Sequence, residues 1–125
     1  MVRETSKILG DPDVKVHATC VRVPVLRTHA EVLNVEFNEG LSVHRANQAL
    51  MSAAGVRVME DQIAGRWAKP SDVAGKDEVF VGRVRRDKTR ANTLDLWVVG
   101  DQLLKGAALN AVQCAELALC SKTAT

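Results

Sequence analysis

Apolar and polar positions divide the chain into short helical and extended runs. Residues 2–9 keep helical spacing and close on Gly10 and Asp11-Pro12, which predicts a helix end with a left-handed cap. No N-cap precedes that helix, and a helix so short is marginal in isolation. Residues 14–23 alternate as a strand, with Val14, Val16, Ala18, Cys20 and Arg22 sharing one face. Residues 31–37 predict a second strand, with Leu33, Val35 and Phe37 on one face. Ser42 is a natural N-cap for a helix striped by Val43, Ala46, Leu50 and Ala53, which Gly55 ends. A brief strand over 56–59 leads to a loop over 62–76, punctuated by Gly65, Pro70 and Gly75. Strands over 79–85 and 94–99 flank the charged turn DKTRAN.

The last run has the clearest periodicity. Asp101 predicts the cap of a helix over 102–120, with Leu104, Ala107, Ala108, Ala111, Val112, Ala115, Ala118 and Leu119 in one stripe. Small residues in that stripe suit close approach to a flat partner. The order of elements predicts an α+β fold, a sheet with helices on one face.

Composition narrows the function classes. At 125 residues the chain predicts a single domain over 1–125. A formal charge of +2, two Phe, two Trp and no Tyr supply neither a basic patch nor stacking platforms, so no nucleic-acid partner is expected. No apolar run approaches the ~20 residues that span a bilayer, and residues 1–10 lack the apolar core of a secretion signal. Three cysteines without a CxxC pair point to free thiols in a reducing cytoplasm. His17 and Cys20 have ligand-like spacing but no second pair, so no metal site is expected.

Two polar residues raise a choice. Arg22 continues an apolar row, so it either meets an internal carboxylate or water, or waits as a guanidinium fork for a substrate carboxylate. His29 is either a solvated loop residue or, within one loop of Arg22, a general acid/base facing the same pocket. None of the cysteines reads as a nucleophile. Cys20 lies on an apolar strand face, and Cys114 and Cys120 fall in the terminal helix. The helix start at GDQLLKGAALN offers backbone N–H groups and the Gln102 amide to a polar ligand, a weak signal alone.

The segments ETSKILG, CVRVPVLRTH, VEF, AGKDEVFVGRVRRD and LDLWVVGDQLLKGAALNAVQ, in this order, resemble bacterial aspartate-semialdehyde dehydrogenases. The likeness runs from Met1 to about Leu119. It implies the C-terminal, dimerisation and substrate domain of the glyceraldehyde-3-phosphate dehydrogenase-like fold. The family interconverts L-4-aspartyl phosphate and L-aspartate 4-semialdehyde with NADP and phosphate, in lysine, threonine and methionine biosynthesis. The resemblance assigns Arg22 to the substrate α-carboxylate, His29 to acid/base transfer beside a cysteine nucleophile, and Gln102 to the nicotinamide, where many relatives carry Asn.

Three family features are absent from the sequence: the Gly-rich nucleotide loop, the Asn-Cys-Thr nucleophile stretch and the E-x-x-K segment. The resemblance therefore implies a C-terminal piece, a third of an enzyme, inactive alone and homodimeric. Two alternatives stand beside it: a non-catalytic dimerisation-domain remnant, and a fragment of the related N-acetyl-gamma-glutamyl-phosphate reductase.

Overall fold

A four-stranded sheet in the order β1-β6-β5-β2 organises the structure, a computed structural model that describes residues 2–61 and 63–120. Its strands are β1 (His29–Glu36), β2 (Val56–Val58), β5 (Val79–Arg86) and β6 (Thr93–Gly100). β6 pairs antiparallel with both β1 and β5, and β2 joins β5 in parallel. A two-stranded ribbon of β3 (Glu60–Asp61) and β4 (Arg66–Trp67) lies between β2 and β5 in the chain. The helices are α1 (Val2–Leu9), α2 (Val43–Ser52), the single turn α3 (Pro70–Val73) and α4 (Leu109–Cys120).

Strand alternation divides the core in two. Val81 and Leu94 face α2, where Ala46 is buried and Val43 and Leu50 pack, and the register shift between Gly82 and Arg85 brings Val84 to the same face. Phe80 and Val99 point to the opposite face and pack with Ala68 and Val73 of the α3 region. The Trp97 indole N–H donates to the Ala68 carbonyl at 2.7 Å, which fastens that segment down. The mixed α+β reading therefore holds, with α2 covering one face and the α3 turn part of the other.

Local signals place several elements as expected. The Ser42 hydroxyl accepts from the Arg45 N–H at 3.2 Å and starts α2. Gly10, at φ +66°, ends α1, and the Asp11 N–H reaches back to the Ser6 carbonyl at 3.2 Å.

Three expectations fail. The stretch over 62–76, expected as a loop, carries β4 and the α3 turn. Residues 14–23 form no strand: Val14 and Val16 are half-buried, while Ala18, Cys20 and Arg22 are exposed. Alternation alone provides no ladder partner. At Pro24 the backbone turns instead, with the Val25 N–H donating to the Val23 carbonyl at 2.9 Å. The helix expected over 102–120 is also broken. Lys105, Gly106 (φ +96°) and Ala107 leave helical geometry, and α4 begins only at Leu109. The Asn110 side chain accepts from the Gly106 N–H at 2.8 Å and stabilises the break. The expected stripe meets no flat partner among the described residues, because α4 buries no residue.

Candidate active-site half

Strand register determines which polar residues meet. His29 opens β1 directly opposite Gly100, the last residue of β6. Gln102 follows two positions later, so these two candidate residues come to the same end of the sheet. His29 is exposed; Gln102 is half-buried, and its Oε1 is fully covered with no hydrogen-bond partner among the described residues. A covered acceptor without a partner is rare and marks a place where a donor is expected. Arg22 lies in the loop leading towards β1, exposed, with no ion pair among the described residues. Its apolar-row premise does not hold, but its guanidinium is available to a ligand.

Between the candidates lies a feature that sequence reasoning missed. Asp101 is completely buried. Its carboxylate accepts from the Gly75 N–H at 2.6 Å and from the Leu103 N–H at 3.1 Å, and it pairs with the Arg27 guanidinium. Burial works to raise its pKa, but the Gly75 and Leu103 amides and Arg27 outweigh it, so the carboxyl lies below the ordinary aspartate value. The expected capping role survives only locally, in the bond to Leu103. The one available sequence signal was a charged residue directly after an apolar strand.

Thr28, between Arg27 and His29, is buried at φ +81°, a conformation that β-branched residues rarely adopt. Strain of this kind persists only where the surroundings enforce it. Its hydroxyl and the Arg27 Nε are covered and have no hydrogen-bond partner among the described residues, like the Gln102 oxygen. Cys20, Cys114 and Cys120 are all exposed, and none forms a disulfide among the described residues. Among the described residues no cluster of three or more His, Cys, Asp or Glu could hold a metal, and no helix is long and apolar enough to cross a membrane.

Comparison with known proteins supplies the family. The aspartate-semialdehyde dehydrogenase of Prochlorococcus marinus is 50% identical over 119 residues, 95% of this chain and 35% of that protein. The Synechocystis enzyme of the same name is 51% identical over 117 residues, 94% of this chain and 35% of that protein. Among solved structures, aspartate semialdehyde dehydrogenase II from Vibrio cholerae, complexed with ASA, superposes with a TM-score of 0.88 at 43% identity. That match covers 95% of this chain and 35% of the Vibrio chain. The chain thus spans about a third of the length of these relatives and corresponds to the C-terminal part of aspartate-semialdehyde dehydrogenase. The family described as semialdehyde dehydrogenase, dimerisation domain, matches residues 1–105, and the chain belongs to it.

Proposed function

We propose that this chain is the substrate-side and dimerisation domain, residues 1–125, of a cytoplasmic, NADP-dependent aspartate-semialdehyde dehydrogenase. The reaction is the interconversion of L-aspartate 4-semialdehyde and phosphate with L-4-aspartyl phosphate, in lysine, threonine and methionine biosynthesis. The observation that carries the reading is the convergence of His29 and Gln102 at one end of the sheet, in a chain half identical to enzymes of that name.

Each residue has a chemical task. Arg22 holds the substrate α-carboxylate through two parallel charge-assisted hydrogen bonds. His29, exposed at the start of β1, moves a proton to and from a thiol supplied from outside this chain. Gln102 fits the nicotinamide carboxamide, since a side-chain amide carries both a donor and an acceptor for another amide. NADP supplies hydride transfer when bound. The exposed thiols of this chain are not assigned that role, because none lies in the His29–Gln102 pairing.

The reading is tested by joining the chain to about two thirds of the Synechocystis relative, its N-terminal part. The chain alone is expected to reduce no NADP with aspartate semialdehyde and phosphate, and the chimera to do so. In the chimera, His29→Ala lowers kcat by roughly 10²- to 10⁴-fold. Arg22→Ala lowers kcat/KM by roughly 10- to 100-fold, mainly through a higher substrate KM. A chimera with ordinary substrate saturation after Arg22→Ala would remove that residue from the site. Turnover by the isolated chain above a His29→Ala control would overturn its dependence on an outside thiol.

A further inference from the structure

The ion pair between the half-exposed Arg27 and the buried Asp101 occupies a special place in the chain path. Arg27 lies two residues before His29, and Asp101 lies one residue before Gln102. From His29 the backbone runs back through Thr28 to Arg27, across the ion pair to Asp101, through Gly100, and across the strand ladder to His29 again. The ends of β1 and β6 are therefore closed into a small ring. Asp101 extends that ring to a third segment through the Gly75 N–H, just beyond α3.

An ion pair that buries its carboxylate and leaves its arginine partly in water is a poor device for stability alone, because desolvation of the carboxylate offsets much of the attraction and solvent screens the rest. Its strength is directional. A guanidinium fork and a carboxylate with two fixed amide donors permit few relative orientations. The strained Thr28 peptide lies inside the ring, where such enforcement is required.

We propose that Arg27 and Asp101 are positioning residues, an ionic latch that fixes the direction of the His29 side chain relative to the Gln102 amide. The latch acts through the backbone and touches neither substrate nor cofactor. Its catalytic consequence rests on the function proposed above; its geometric consequence does not.

Two measurements separate these. In the isotopically labelled full chain, Arg27→Met is expected to shift both the His29 ring and Gln102 side-chain amide resonances. The backbone amides of Ala46 and Val81, in the α2 core, stay in place, and Arg27→Lys returns the moved signals towards the wild type. If Arg27→Met fails to fold, Arg27→Lys alone is read, with smaller shifts at the same two residues. Unchanged His29 and Gln102 signals in a folded variant overturn the latch.

In the chimera, Arg27→Met lowers kcat by about 10-fold or more while substrate KM stays within about twofold, and Arg27→Lys recovers most of the loss. Wild-type kcat per folded enzyme in Arg27→Met also overturns the proposal. Turnover that survives His29→Ala would instead refute the proposed function, with the resonance shifts still deciding the latch.

Discussion

Single carboxylates make the stability of this chain depend on acid. The Asp87 Oδ1 accepts from both the Thr89 hydroxyl and the Thr89 N–H at 2.7 Å, and Oδ2 accepts from the Asn34 amide at 2.9 Å. The Thr89 hydroxyl, then the Thr89 amide and Asn34, hold the carboxyl down at about 2. Asp101 is shifted in the same direction. A depressed carboxyl stabilises the fold fully above its unfolded pKa of about 3.9, and that contribution disappears as pH falls through the folded value. Melting temperature is therefore expected to fall from about pH 4 to about pH 2. Asp87→Asn should lower it at pH 7 and converge with the wild type near pH 2, as circular dichroism melts at a series of pH values would reveal. A constant offset at all pH values would mean that Asp87 stabilises by packing alone.

Elements with their own punctuation were legible in the sequence; those defined by distant partners were not. Ser42 and Gly55 bracketed α2, and the turn DKTRAN separated two apolar runs that became β5 and β6. Residues 14–23 alternated without a partner strand, and the alanine stripe ran straight through Gly106, where the backbone breaks. β4 and α3 are too short to carry a period. Arg22, His29 and Gln102 were proposed for the candidate site through family resemblance, and the strand register brings His29 and Gln102 to one end of the sheet, whereas the Arg27–Asp101 pair joins residues from opposite ends of the chain and follows no local pattern.

Gly82 shows a similar dependence on tertiary contact. It looks like an ordinary strand glycine, yet a Cβ there would lie 2.6 Å from the Met59 carbonyl oxygen. The neighbour is backbone, held by the Met59 N–H donating to the Val81 carbonyl at 2.8 Å, so it cannot swing aside. Gly82→Ala is expected to cost about 2–3 kcal/mol as the strand and the Met59 segment are forced apart. Gly10→Ala meets no neighbour and should cost about 1 kcal/mol from its positive φ alone. Urea denaturation of both variants checks the ranking, and equal losses would refute the steric account.

At the scale of the whole molecule, apolar surface is left uncovered in several places. Val32 is 67% exposed in the middle of β1, opposite Trp97 in the ladder. Leu26 is fully exposed, and Leu117 and Leu119 project from α4, which buries none of its residues. Such surface is characteristic of an interaction face rather than of a monomer in water. β1 also lies at the edge of the sheet, accessible from its outer side. For a chain in a dimerisation-domain family, a second copy is the partner we propose for the Val32 face, and sedimentation velocity is expected to give a dimer. Val32→Lys should shift the chain towards monomer, since a charge in the interior of an apolar interface must be desolvated without a counter-charge. Val112→Lys, on the exposed α4, serves as the control, because that helix lies outside the sheet face. If Val112→Lys dissociates the dimer and Val32→Lys leaves it intact, the contact runs through α4 and the β1 face is left for another segment.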